Sequence, residues 1–202
     1  MNGGKLIANQ SKTCVIKPEI PCKHKQTKKK SIKNKRISKI IFSDNSEKSN
    51  HEQLMNKQIQ SIHNYQEWAL VFDEFCKPPH LQEIYKLDSS FRKCMRDKKT
   101  RFKQNFKKYS YMMNGIYGGI SLGDHFKYMK FNEHQFLQLM NQMLPIFKGI
   151  TILTKHNMSH SDIKYGNIVV HKDVFKFIDF GLSCQLSDHT RMKQRSKNEF
   201  QT

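Results

Sequence analysis

Apolar and polar residues follow two different rhythms along this chain. Residues 5–17 mix the two classes and end in Cys14-Val15-Ile16-Lys17, a pattern that predicts a pair of strands. RISKIIF, residues 36–42, is rich in β-branched side chains and predicts a short strand. Ser43 to Ser46 offers helix-start residues, and Leu54, Met55, Ile59 and Ile62 follow near helical spacing. Residues 65–75 are apolar and aromatic, and Pro78-Pro79 breaks them. YSYMMNGIYGG, residues 109–119, predicts a strand ending at a glycine turn. The clearest helix begins near Asn132. Phe136, Leu139, Met140, Met143, Leu144, Phe147 and Ile150 recur at i, i+3, i+4 and i+7, with Pro145 inside as a kink point. Two short strands follow, 167–170 and 174–178, joined by the turn His171-Lys172-Asp173. Strands plus a helix, then a mainly helical part carrying a hairpin, predict an α+β fold.

Composition narrows the function classes. Hydrophobic residues make up 37% of 202, with 14 Phe and 10 Met, enough for a core and too much for a chain disordered throughout. Net charge is +19, which favours nucleic acid, nucleotide phosphates, acidic proteins or anionic membrane surfaces. A lysine-rich solvated surface explains the same number equally well. Lys23 to Lys39 carries nine Lys and Arg with no Asp or Glu, and its first part is polar enough for a loop. Residues 88–108 form a second basic stretch, predicted helical and exposed, and the tail from Arg191 is predicted to fray. Neither run has an RNP-like motif, a zinc knuckle or aromatic-basic interleaving, so the case for nucleic acid is weak.

Five cysteines, an odd number with no CxxC pair, argue against a disulfide framework and a zinc ribbon. They suit a reducing, intracellular setting, either cytoplasm or virion. The start MNGGKLIANQ lacks the apolar core of a signal peptide, and Asn2 breaks the myristoylation pattern. No apolar run approaches the roughly 18 residues that span a bilayer.

The chemistry gathers near the end. Phosphoryl transfer needs a carboxylate to orient the attacking hydroxyl, hard oxygen ligands for Mg²⁺ and a cation beside the γ-phosphate. His160-Ser161-Asp162 is followed by Lys164 and Asn167, the spacing H-x-D-x-K-x-x-N, and then by Asp179-Phe180-Gly181. DFG alone is a weak signal, but order, spacing and the intervening hairpin together are a strong one. His156 and His160 stand four apart like helix metal ligands, yet no Glu follows His156 and no third ligand is apparent.

On these residues the chain resembles the eukaryotic-type Ser/Thr protein kinase superfamily. Cys14-Val15-Ile16-Lys17-Pro18 and Pro21-Cys22 make it most similar to kinases of large nucleocytoplasmic DNA viruses. The resemblance implies an antiparallel-sheet small lobe and an incomplete, mainly helical large lobe. Residues 1–119 would be the small lobe, with a basic insertion at about 22–36 and a hinge near 115–121. Residues 120–185 would be part of the large lobe, and 186–202 a basic tail.

The resemblance also implies ATP and Mg²⁺ as cofactors and assigns roles. Asp162 and Lys164 would be catalytic, and Asn167 and Asp179 would hold metal. Lys39 would grip the α- and β-phosphates, paired with Glu52 or, one turn away, Glu47. Val15, Tyr117 and Gly118 would contact the nucleotide. Lys164 implies Ser/Thr specificity.

Two departures set up the alternative of a catalytically inactive module that binds nucleotide or a partner. Ala8, Gln10 and Thr13 stand where the phosphate-loop glycines are expected. No A-P-E segment follows Gly181, so the chain is expected to be truncated. The apolar face of the 132–156 helix is then expected to be partly uncovered, inviting a partner chain.

Overall fold

A computed structural model describes residues 5–10, 13–22, 35–42, 46–79, 92–94, 96, 111–127 and 132–187. The expected basic insertion, the second basic stretch and the basic tail lie almost entirely outside them. The chain divides into two compact units, Met1–Lys57 with Val71–Tyr117, and Gln58–Leu70 with Gly118–Thr202.

The first unit is built on an antiparallel sheet. Its strands are β1 (Lys5–Gln10), β2 (Thr13–Lys17), β3 (Arg36–Ile41), β4 (Phe72–Cys76) and β5 (Tyr111–Ile116), in the order β1-β2-β3-β5-β4. Helix α1 (Ser46–Gln60) begins in this unit. Lys39 pairs with Val15 on one side and Met113 on the other. Successive strand residues point to opposite faces, so Ser38 and Ile40 face away from Lys39. Their face covers a core of Cys14, Ile16, Ile20, Cys22, Ile40, Phe42, Cys94 and Met112. Burial on both faces explains why RISKII shows no strict alternation.

The cysteines correct one expectation. Cys14 is bonded to Cys94 and Cys22 to Cys76, across separations of 80 and 54 residues, while Cys184 stays free. An odd total says only that one thiol is left over. The four that pair belong to one unit, and the sheet brings them together.

The second unit contains α2 (Leu122–Lys127), α3 (Glu133–Lys155), β6 (Met158–Ser159), β7 (Ile168–His171), β8 (Val174–Phe177) and β9 (Cys184–Gln185). Asn132 opens α3 with a reciprocal cap: its side chain accepts from the Gln135 amide at 2.9 Å, and Gln135 Oε1 accepts from the Asn132 amide at 3.1 Å. The helix continues through Pro145. Leu139, Ile146, Gly149 and Leu153 form its buried stripe, while Phe136 and Leu137 are 52% and 57% exposed. Lys172 and Asp173 turn the β7–β8 hairpin with φ of 52° and 61°, as a two-residue primed turn requires. β7 begins one residue later than expected, which leaves Asn167 in a 3₁₀ turn, Tyr165–Asn167.

Gly149 on α3 packs against Trp68. A Cβ there would lie 2.8 Å from Trp68 Cε3 and 3.0 Å from Cδ2, and the indole is 1% exposed. Gly149→Ala gains helix propensity of about 1 kcal/mol but overpacks the indole, for a net loss of roughly 1–2 kcal/mol. Urea unfolding of the two proteins measures it; unchanged or raised stability contradicts this packing.

Candidate active site

In the first unit the central feature is a buried ion pair. Lys39 Nζ lies 2.8 Å from Glu52 Oε1, with side chains 6% and 8% exposed. An ammonium taken out of water is tolerable only when paired. Of the two glutamates considered, Glu52 therefore meets Lys39, and the Glu47 side chain lies outside the described residues. Asn56, one turn on, fixes this stretch of helix. Its Nδ2 donates to Glu52 O at 2.6 Å and its Oδ1 accepts from the Phe72 amide at 2.9 Å, which ties α1 to the start of β4. Sequence reasoning passed over Asn56. The available signal was a polar residue amid Met55, Ile59 and Ile62 on the apolar stripe. Tyr111 shares the Lys39 face of the sheet. Burial, together with the charge of Glu52, pushes its hydroxyl well above the usual phenol range.

Val15 is half-buried on β2, directly beside Lys39. Ala8 and Gln10 pair with Val15 and Thr13 in the β1–β2 ladder, whose register shifts between Leu6 and Ala8. Tyr117 lies under Lys17 Nζ at 3.7 Å and donates its amide to Lys35 O at 2.9 Å.

Gly118 belongs to the second unit, where it is a packing glycine. A Cβ on it would stand 2.7 Å from Val169 Cγ2. Gly119, at φ +98°, approaches Val170 O so closely that a Cβ would lie 2.5 Å from it.

The second unit also holds Asp162, Lys164 and Asn167, the residues expected to be catalytic and to hold metal. Asp162 accepts from Lys164 Nζ at 3.0 and 2.9 Å, one bond to each carboxylate oxygen. Asn167 Nδ2 donates to Asp162 Oδ2 at 2.7 Å and to Asp162 O at 3.0 Å. The Asn167 amide donates to Lys164 O at 2.9 Å, so the loop closes on itself. Asp162 is 22% exposed and Lys164 56%, so their pair adds little to stability and remains within reach of a ligand.

Asp179 is positioned through Ile178. The Ile178 amide donates to Asn167 O at 3.0 Å, and His160 Nε2 donates to Ile178 O at 3.0 Å. His160 is 2% exposed, with ring centroids 4.7 Å from Phe180 and 5.0 Å from Phe177. Burial holds its imidazole pKa below the usual value, which favours the neutral ring that this bond uses. Ser183 Oγ donates to His160 O at 3.1 Å and fixes the segment after Gly181 to the same histidine. Asp179 itself adopts φ 62° and ψ 68°, a left-handed conformation uncommon outside glycine.

Asp162, Lys164 and Asn167 thus form one hydrogen-bonded cluster, and Asp179 is held beside Asn167 by a single intervening residue. Among the described residues no group of three or more His, Cys, Asp and Glu could hold a metal. A carboxylate and an amide oxygen still suit Mg²⁺, which takes one or two protein oxygens and completes its shell with phosphate and water. The Asn167 amide nitrogen is spent on Asp162, which leaves Oδ1 as that residue's donor to a metal.

The protein kinase domain family profile matches residues 20–200. Calcium-dependent protein kinase 4 of Plasmodium berghei (strain Anka) is 32% identical over 93 residues, covering 43% of this chain and 17% of that protein. The match therefore covers less than a fifth of the length of that relative.

The Lys39–Glu52 pair has a measurable signature. Glu52→Gln removes the carboxylate 2.8 Å from a buried ammonium and lowers stability by about 3–5 kcal/mol, whereas Lys39→Met with Glu52→Leu recovers most of that loss. Denaturant titration of both variants decides it. A Glu52→Gln protein as stable as the parent, or a double variant no better than the single, contradicts the buried pairing.

Proposed function

Because this chain belongs to the protein kinase domain family, we propose that it binds ATP with Mg²⁺ and transfers the γ-phosphate to serine or threonine hydroxyls of a protein. The observation that carries this is the Asp162–Lys164–Asn167 cluster, with Asp179 held next to it. Asp162 orients the attacking hydroxyl and accepts its proton. The hydroxyl oxygen bonds to the γ-phosphorus, the bond to the β–γ bridging oxygen breaks, and ADP leaves. Lys164 balances charge on the transferred group. Asn167 Oδ1 and Asp179 would hold Mg²⁺, which would supply neutralisation of the phosphate charge. Lys39, steadied by Glu52, grips the α- and β-phosphates. Binding and positioning supply most of the rate in such a reaction, so a degenerate phosphate loop weakens it without removing a reacting group.

Serine/threonine preference rests on Lys164, and the narrower likeness to kinases of large DNA viruses rests on residues 14–18 and 21–22. Ala8, Gln10 and Thr13 favour a second reading, a kinase-like module that binds nucleotide without turnover.

Incubation with γ-labelled ATP, Mg²⁺ and a mixed serine/threonine protein substrate separates the two. Transfer is expected, falling roughly 10²–10⁴-fold in Asp162→Asn. Nucleotide binding without transfer in the parent protein selects the second reading. Equal transfer by parent and Asp162→Asn overturns the proposed role of the carboxylate.

A further inference from the structure

Residues 18–22 leave β2 and cross the sheet on the face opposite Lys39, where three ties hold them. Glu19 Oε2 accepts from Arg36 Nε at 2.6 Å, and Arg36 Nη1 donates to Asp73 at 2.9 Å, a tie that runs through β3 to β4. The Ile20 amide donates to Ser38 Oγ at 2.7 Å, and Ser38 Oγ donates to Asn114 Oδ1 at 2.7 Å. Asn114 Nδ2 donates back to Ile20 O at 3.1 Å and onward to Glu74 Oε2 at 2.9 Å, so the second tie runs from β3 through β5 to β4. The third is covalent, Cys22 to Cys76 at the end of β4. Ser38 is the residue before Lys39, so this strap grips β3 from behind.

The two disulfides differ in access. Cys14 and Cys94 are both 0% exposed. Cys22 is 7% exposed and Cys76 is half-buried at the edge of the sheet. Thiol–disulfide exchange needs a thiolate in line with a sulfur, so exposure sets which bond is attacked first.

We propose that the Cys22–Cys76 disulfide is a redox-active latch. Dithiols open it before Cys14–Cys94, and when closed it holds residues 18–22 across the sheet and steadies β3. In the opening step one dithiol thiolate attacks Cys76 Sγ, and Cys22 leaves as a thiolate that takes up a proton. The second dithiol thiolate attacks the reductant's own sulfur in the mixed disulfide and releases Cys76. Two electrons pass to the protein and the dithiol ends as a disulfide. A reducing compartment keeps the latch open and an oxidising one closes it. The latch deepens the kinase reading only in its effect on Lys39, and depends on that reading for nothing else.

The test uses the full chain, oxidised in air and titrated with dithiothreitol without denaturant. Samples are alkylated with iodoacetamide, mapped by peptide mass and followed by hydrogen exchange. Cys22 and Cys76 are expected to become alkylated together at about tenfold or more lower reductant than Cys14 and Cys94. Exchange is expected to rise about tenfold or more over residues 18–22 and 36–41 as they do. No Cys22–Cys76 cross-link in the oxidised chain, earlier or simultaneous opening of Cys14–Cys94, or unchanged exchange overturns the latch. The double variant Cys22→Ser/Cys76→Ser is expected to show the faster exchange without reductant. If it does not fold, the titration of the parent protein decides alone. ATP affinity is read on both redox states: weaker binding after opening supports the effect on Lys39, and equal binding overturns it. Binding in neither state overturns the effect on Lys39 and counts against the kinase reading, while the alkylation order and the exchange still decide the latch.

Discussion

A lysine ammonium inside a protein must be paired, and the pairing of Lys39 with Glu52 organises the first unit. Burying Lys39 requires β3 in a register that points it at α1, and the ladder to Val15 and Met113 supplies that register. Presenting Glu52 requires α1 to be fixed in rotation, and Asn56 does this by bridging Glu52 O and the Phe72 amide. The reverse face of β3 is then free to be covered by residues 18–22, so one strand is gripped from both sides. Each of these contacts costs ordering entropy that the isolated pair would not repay, which makes the arrangement a property of the whole unit.

The second unit solves a related problem with main-chain bonds. Asp179 has to be held in an uncommon backbone conformation, and its neighbour Ile178 is fixed at both its amide and its carbonyl. A buried His160 makes one of those bonds, and Asn167 makes the other while its side chain binds Asp162. The same asparagine therefore positions two carboxylates.

Local chemistry was legible in the sequence. The spacing from His160 to Asn167 and on to Asp179 needed no structure to find, and the apolar period from Phe136 to Ile150 placed a helix beginning near Asn132. What was not legible depends on distant partners. Cys14 and Cys22 are bonded to residues 80 and 54 positions away, and no local pattern encodes such pairings. Ser38 and Asn114 read as ordinary strand residues, because their role appears only when residues 18–22 cross between them. Asn167 read as the start of a strand, yet it belongs to the 3₁₀ turn before β7, where its side chain can reach Asp162. The close approach of Gly118 to Val169 is likewise a tertiary fact.

The proposed function requires Asn167 and Asp179 to serve a metal-bound nucleotide. Calorimetric titration of ATP with and without Mg²⁺, on the parent chain and on Asp179→Asn, tests it most directly. Mg²⁺ is expected to tighten ATP binding by about tenfold or more in the parent and to lose that effect in the variant. ATP affinity indifferent to Mg²⁺, or equally enhanced by it in Asp179→Asn, would contradict the claim.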